Sequence, residues 1–290
     1  MSKSYALFLG CYIPAVQPFV EISLRKIAPL LDIELLDIQG ATCCPVPEIA
    51  RLSDYDSWLT IAARNLSLAE SMGKDIAVLC NGCWETLYEA SEDLHNDPDL
   101  MAEVNSRLSI LGKEFVGKVK VKHFVEVLVE DVGLEKLKDA IKQSLTGLTV
   151  AIHYGCKFYK SENEKFVTYF NDIINTLGVK TVSYDLERIC CGYPLTLHSF
   201  DVGMEERTKW KLDKIKEANV DCLAIVCSEC FEQFEKSQFL LRRKGERYDI
   251  PMIHLIELIA LALGFSPKEI GLNRHRIRCD TVLKKIGLEG

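Results

Sequence analysis

Ten of the twelve cysteines in this chain fall into two copies of one pattern. The first reads Cys11-x31-Cys43-Cys44-x35-Cys80-x2-Cys83 and the second Cys156-x33-Cys190-Cys191-x35-Cys227-x2-Cys230. The second copy is displaced by 145 residues at its first cysteine and by 147 at the other four. A chain of 290 residues can bury a core without disulfide staples, and no secretion signal precedes these thiols, so their density points to metal. Structural zinc takes four ligands, and a [4Fe-4S] cubane offers one open position at each of its four irons. Five cysteines per copy are therefore one too many. Either one thiol is a bystander, or the metal group has a geometry in which a fifth sulfur terminates or bridges irons. Presence of the fifth thiol in both copies favours the second alternative, and descent of both halves from one ancestor leaves the first open. Adjacent cysteines add a constraint, because neighbouring side chains of an extended segment point to opposite faces and the chain must turn to use both. Gly192 and Pro194 allow that turn after Cys190-Cys191, and Pro45 and Pro47 follow Cys43-Cys44. A vicinal disulfide is the alternative; iron ligation fits better.

The duplication extends to the elements that must position these thiols. His123-Phe124-Val125-Glu126-Val127 recurs as His254-Leu255-Ile256-Glu257-Leu258, each followed by an apolar stretch and then Gly133 or Gly264. Two homologous modules are expected, 1–145 and 146–290. Short apolar or β-branched runs predict strands at Ser4–Leu9, Ile33–Ile38, Asp75–Leu79 and Val119–His123, and again at Leu148–His153, Val179–Tyr184, Cys222–Val226 and Asp249–Ile253. Helical periodicity lies between them, at Asn163–Leu177, Asp201–Ala218 and Phe231–Arg243 in the second half, and the Lys-rich stretch Leu134–Leu145 is a helix-prone connection. The expected class is α/β: two open-sheet modules with mainly parallel strands flanked by helices, related by a pseudo-two-fold axis and each carrying one iron-sulfur cluster. Cys11 and Cys156 then fall just past a first strand, while Cys80 and Cys227 end a later strand and open a helix, whose free N–H groups and dipole favour thiolate.

Composition removes several function classes. A net charge of -7 with pI near 5.5 argues against a nucleic-acid binder. The longest nearly apolar run, Met252–Leu263, is too short for a membrane span, and the apolar start breaks at Gly10-Cys11, so a cytoplasmic location is expected. The basic run Arg274-His275-Arg276-Ile277-Arg278 reads as a solvated tail. No Gly-x-Gly-x-x-Gly run is present, so electrons are expected from another polypeptide.

The tandem motif, Cys-x(31 to 39)-Cys-Cys-x(35 to 36)-Cys-x2-Cys, resembles the two CCG modules of the heterodisulfide reductase B-subunit family, found in methanogenic archaea and related organisms. The resemblance spans nearly the whole chain. It is specific for CCG proteins and less so for substrate, since relatives include thiol:fumarate reductase and subunits of glycolate, lactate and quinone-linked succinate systems, many with an extra ferredoxin-like domain that this chain lacks. It implies two noncubane [4Fe-4S] clusters, one held by Cys11, Cys43, Cys44, Cys80 and Cys83 and the other by Cys156, Cys190, Cys191, Cys227 and Cys230. Pro45 replaces the usual Gly in the first motif, leaving one such cluster beside a zinc or degraded site as an alternative. The resemblance further implies a mixed disulfide of coenzyme M and coenzyme B bound between the clusters and reduced to two thiols in methanogenesis. It implies that electrons arrive through two partner subunits of the same reductase, one iron-sulfur and the other flavin-containing, and ultimately from a hydrogenase or formate dehydrogenase. Electron transfer in another CCG oxidoreductase, or a non-catalytic iron-sulfur relay, are the rival readings. An anionic substrate calls for cations near the clusters, and Lys157 and Arg188 are placed for this; each could equally be a surface charge beside a loop. His153, three residues before a ligand, could deliver a proton or simply hydrogen-bond within its loop. His123 and His254 fit helix starts with Glu126 and Glu257 in the first turn, Cys222 reads as a buried hydrophobe, Trp84 as packing, and Cys279 has no motif around it.

Overall fold

The computed structural model describes residues 3–158 and 164–289. β1 (Lys3–Phe8), β2 (Ile33–Asp37), β3 (Ile76–Val78) and β4 (Val121–His123) form one parallel sheet in the order β2-β1-β3-β4. β5 (Thr149–His153), β6 (Lys180–Thr181), β7 (Cys222–Ile225) and β8 (Met252–His254) form a second parallel sheet in the order β6-β5-β7-β8. The chain therefore winds identically in both halves, and the α/β class with two parallel-sheet modules is as predicted. Parallel neighbours need crossovers, here helical ones, so both faces of each sheet are covered and the central strands read as unbroken apolar runs. Ile76-Ala77-Val78 and Cys222-Leu223-Ala224-Ile225 are buried at every position.

In each sheet the order reverses direction between the first strand and its inner neighbour, β1 beside β3 and β5 beside β7. At such a switch point the loops leaving the two strands part to opposite faces and open a crevice at their carboxyl ends. The Cys11 and Cys80 loops leave from one crevice, and the Cys156 and Cys227 loops from the other.

Several boundaries differ from the sequence reading. β6 is shorter than Val179–Tyr184 because the chain turns away at Ser183–Glu187, where Asp185 has φ 66° and the Glu187 carboxylate accepts from the Tyr184 N–H. β8 starts later than Asp249. That residue has φ 53°, Pro251 has no N–H to give, and the Gln238 side chain pairs with both backbone groups of Ile250. The helix expected over Asp201–Ala218 is a wide π-type turn, Val202–Thr208, continued by an α-helix, Lys209–Glu217. Thr208 Oγ1 there bonds to the carbonyls of both Gly203 and Cys191, which ties the turn to the vicinal-cysteine loop. The connection predicted at Leu134–Leu145 is helical only over Leu134–Asp139, and the helix predicted from Asn163 begins, within the described residues, at Glu164.

One expectation is corrected. The basic run Arg274–Arg278 is not a solvated tail. Its residues alternate, so that His275, Ile277 and then Cys279 turn inward and are buried, while Arg276 pairs with Glu232. The His275 ring packs against Phe19 of the first module and Phe231 of the second, so this segment stands where the modules meet.

Candidate metal centres between two modules

Each thiol is set by a local device. Gly10 and Gly155, with φ 67° and 79°, turn the chain out of β1 and β5 so that Cys11 and Cys156 face the crevice. A side chain could not replace the first of these. A Cβ on Gly10 would lie 2.7 Å from Cys83 Sγ, and one on Gly155 would lie 3.8 Å from Cys230 Sγ. Cys80 and Cys227 are the N-cap residues of helices Asn81–Asn96 and Ser228–Arg242, and the next cysteine of each pair follows in the first turn. The turn required after Cys190-Cys191 is made at Gly192, φ 104°, where a Cβ would stand 2.6 Å from the Gly203 carbonyl oxygen. All of these cysteines are free.

Together the ten thiols make one line. Cys11 Sγ is 3.9 Å from Cys43 Sγ. Cys43 and Cys44, Cys44 and Cys83, and Cys83 and Cys80 stand near enough to shift one another's ionisation. Cys80 Sγ lies 3.9 Å from Cys227 Sγ, across the module boundary. The second half repeats the first in reverse: Cys227 to Cys230, Cys230 to Cys191, Cys191 to Cys190 and Cys190 to Cys156. The line is thus symmetric about the Cys80–Cys227 contact. Its outer ends differ, since Cys11 and Cys43 are exposed while Cys156 and Cys190 are half-buried.

Crowding splits the protons unevenly. Contact with Cys43 and Cys83 pushes the Cys44 thiol down to about 6. Contact with Cys156 and Cys191 takes Cys190 to about 2. Cys80 is held well below the ordinary thiol range by Cys227 and Cys83, and also by the N–H groups of Cys83 and Ser228. Their neighbours Cys83 and Cys191 go well above it, because each already faces a thiolate. Ten sulfurs crowded in this way cannot all ionise without cations between them, and soft iron supplies charge of the right kind. Five thiols per module exceed a zinc site, so the donor sets fit iron-sulfur groups.

The module boundary beside this line is polar and tightly made. Gln17 Nε2 donates to the Ser228 carbonyl at 2.8 Å, and Asn81 Nδ2 donates to the Tyr154 carbonyl at 2.9 Å. On one flank the Tyr12 and Tyr193 hydroxyls meet at 2.9 Å. On the other, Lys157 of the second module is paired with Glu48 and Glu85 of the first. Burial alone would lower the Lys157 pKa, but the two carboxylates raise it. A small cavity on this boundary is lined by Glu48, Cys190, Tyr193, Cys227 and Glu229.

The other residues singled out from sequence are placed as follows. Arg188 is half-buried, forms a forked pair with Glu164 at 2.7 and 2.6 Å, and lines an open groove beside β6. His153 is buried, with Nδ1 2.9 Å from the Tyr184 hydroxyl, and its ring lies with Cys191 and Cys230, ligand atoms within 4.8 Å of one another. Burial holds its pKa well below the usual imidazole value. His123 and His254 are N-caps, their Nδ1 atoms accepting from Val125 and Ile256, and Glu257 completes a capping box with His254. Trp84 is buried and stacks on Tyr88, with Phe166 at its edge, and Cys222 is fully buried in β7. Sequence reasoning missed the Gly-Cys pairs as a repeated signal, the Tyr12–Tyr193 bond and the Glu48–Lys157–Glu85 cluster. Gly10-Cys11 and Gly155-Cys156 could have been found, since they recur at the spacing of the first cysteines. The cross-module pairs carry no local signature.

Comparison with known proteins agrees with this architecture. The family model for the cysteine-rich CCG domain matches twice, over residues 5–88 and 150–235. This chain belongs to the CCG cysteine-rich family that includes the B subunit of heterodisulfide reductase. It is 37% identical over 289 residues to the B subunit of the ferredoxin/F420H2-dependent CoB-CoM heterodisulfide reductase of Methanosarcina acetivorans, covering 97% of this chain and 96% of that protein. A protein of Archaeoglobus profundus described as like the heterodisulfide reductase B subunit is 37% identical, covering 92% of each. The 8-methylmenaquinol:fumarate reductase membrane anchor subunit of Wolinella succinogenes is 31% identical, covering 96% of this chain and 98% of that one. A crystal structure of a hypothetical protein from Helicobacter pylori shares the fold at TM-score 0.79 and 17% identity over 95% of this chain, which spans about half, 52%, of that one. Among the described residues, no helix is long and apolar enough to cross a membrane.

Proposed function

We propose that this chain is the disulfide-reducing subunit of a heterodisulfide reductase. In this reading Cys11, Cys43, Cys44, Cys80 and Cys83 hold one noncubane [4Fe-4S] cluster and Cys156, Cys190, Cys191, Cys227 and Cys230 hold the other, with modules divided at 145/146. The carrying observation is the approach of the two ligand sets across the boundary, Cys80 Sγ to Cys227 Sγ at 3.9 Å, which supports one shared site between them. Clusters bound there supply single electrons and soft iron sites for sulfur. A disulfide takes up two electrons and two protons to become two thiols, which matches two equivalent sites facing one guest. The chain itself binds and orients: helix N-termini present Cys80 and Cys227 at the boundary, Cys227 and Cys83 hold the Cys80 thiol well below its ordinary range, and the Tyr12–Tyr193 and Lys157–Glu48 contacts join the two modules. Lys157 and Arg188 flank the second site as cations already answered by Glu48, Glu85 and Glu164, so an anionic end of the substrate would displace a carboxylate to reach either.

The names of the relatives support coenzyme M and coenzyme B heterodisulfide as the substrate. Their description as B subunits also supports a multi-subunit setting, and the donors named for two of them are ferredoxin and F420H2. In this proposal electrons reach the chain through an iron-sulfur partner and a flavin-containing partner of the same reductase, fed by a hydrogenase or formate dehydrogenase. The fumarate reductase relative favours a second reading, electron transfer toward a quinone-linked partner. The test is anaerobic reconstitution with iron, sulfide and zinc counted per chain, followed by EPR with coenzyme M or heterodisulfide added. About eight irons, no zinc and a cluster signal altered by either thiol-bearing compound are expected. Fully loaded clusters indifferent to both compounds would leave only the relay reading.

A further inference from the structure

The two thiol sets are equivalent in the repeat but not in what stands behind them. Phe8 and His153 are the last residues of β1 and β5, and they occupy the same place. A Cβ on Gly10 would have Cys83 Sγ and Phe8 Cε1 as neighbours, the ring carbon at 3.9 Å. A Cβ on Gly155 would have Asn81 Nδ2 at 3.2 Å, an amide nitrogen already given to the Tyr154 carbonyl, then Cys230 Sγ at 3.8 Å and His153 Nε2 at 4.0 Å. Where the first module sets carbon against its Cys-x-x-Cys thiol, the second sets nitrogen. The His153 side chain is fully buried, Phe234 meets it edge-on at 5.0 Å between ring centres, and among the described residues Nε2 has no hydrogen-bond partner. A buried ring nitrogen is rarely left unmatched. Cluster sulfides and ligand thiolates only accept, so with a cluster bound the nitrogen facing them would carry the hydrogen, and the Tyr184 hydroxyl 2.9 Å away would donate to Nδ1.

We propose that His153 donates its Nε2–H to a sulfur of the cluster held by the second module, and so keeps that cluster at a higher reduction potential than the one facing Phe8. The inference rests on the reading that both modules carry iron-sulfur clusters. A hydrogen bond to a cluster sulfur draws electron density from it and favours the reduced state. Buried Lys211 stands close enough to Cys191 and Cys230 for their charge to act on it, and it works in the same direction. A first electron from a one-electron donor then rests in the second module before the first is filled.

The experiment is a redox titration followed by EPR on the full chain, reconstituted anaerobically, with each signal assigned in Cys44→Ser and Cys191→Ser variants. His153→Phe, which copies the first module, should lower the second cluster's potential and bring the two together. Phe8→His should raise the first cluster's potential and leave the second unmoved. Should His153→Phe fail to load its site, Phe8→His alone decides, because a first potential that stays in place overturns the proposal. So does a nitrogen coupling on EPR large enough for a direct iron bond, which would make His153 a ligand. A wild-type chain that takes up no iron overturns the functional reading together with this one, whereas a loaded chain with both potentials unmoved overturns this one alone.

Discussion

Lys157 can act as a clamp between modules or as a substrate cation, and stability separates the two roles. Its side chain is 12% exposed, and its partners Glu85 and Glu48 are 9% and 22% exposed. Removing one partner of a fully buried ion pair costs about 3–5 kcal/mol, because the remaining charge keeps its desolvation without its counterion. Water reaches Glu48 in part, so Lys157→Met should cost about 2–3 kcal/mol. At roughly 2–4 °C per kcal/mol for a chain of this size, the midpoint of thermal unfolding should fall by about 5–10 °C. Neutralising the stranded acids tests the cause. The triple variant Lys157→Met, Glu48→Gln, Glu85→Gln should recover to within about 1 kcal/mol of the parent, since paired apolar or neutral replacements avoid the unpaired charge. Thermal and urea unfolding of anaerobic samples with matched iron content would measure both. A triple variant no more stable than the single one would refute the electrostatic argument. The substrate constant then decides the second role: if Lys157 also holds a substrate anion, the apparent KM rises in single and triple variants alike.

Two further changes follow from the packing. Gly10→Ala brings a methyl group 2.7 Å from Cys83 Sγ at a backbone φ of 67°, so the first site should lose its metal while the second keeps it, and iron per chain should fall by about half. Full iron retention would show that the close approach of Gly10 to Cys83 is not needed. At the other end, His275 is fully buried beside Glu257 at 2.8 Å. Burial alone would lower its pKa, but the Glu257 charge, aided by Cys279, holds it well above the ordinary value. A group raised on folding contributes its stability in full below about pH 6.5 and loses it as pH climbs through the folded-state value. Urea midpoints of the parent should therefore decline above neutrality more than those of His275→Gln, which should itself be about 3 kcal/mol less stable near pH 6. Parallel pH profiles would remove His275 from this role.

The sequence carried the fold because duplication and strand composition are local signals. Cys80 and Cys227 were readable as helix-opening residues from the apolar runs before them, and the structure has them as N-caps. The same local signals misread the segment Arg274–Arg278. Its charge count suggested solvent, but alternate residues face a core built from Phe19 and Phe231, which lie far off in sequence. Lys157 was visible as a cation beside a thiol, whereas Glu48 and Glu85 could not be assigned to it, since the pairing depends on how two modules dock. Burial of His153 was equally out of reach, because the Tyr184 hydroxyl that meets it lies on a separate loop.

Docking two copies of one module about an axis also limits which residues the copies can share. Gly82 and Glu229 hold the same position in the two Cys-x-x-Cys pairs, and they face one another. A Cβ on Gly82 would lie 3.0 Å from Glu229 Oε2. Burial first, then the Cys80 and Glu48 charges, raise the Glu229 pKa, so this carboxyl already stands in a site unfavourable to a second acid. A glutamate at both positions would put two carboxylates into one space, and a glycine at both would leave it empty beside the thiols. One of each is the arrangement that fills it. Tyr12 and Lys157 repeat the logic, since each follows the first cysteine of its set, and one meets a phenol while the other meets carboxylates. Sulfur ligands can stay symmetric because each module holds its own set. Residues that meet across the boundary need not, and it is there that a site built by duplication acquires two unlike ends.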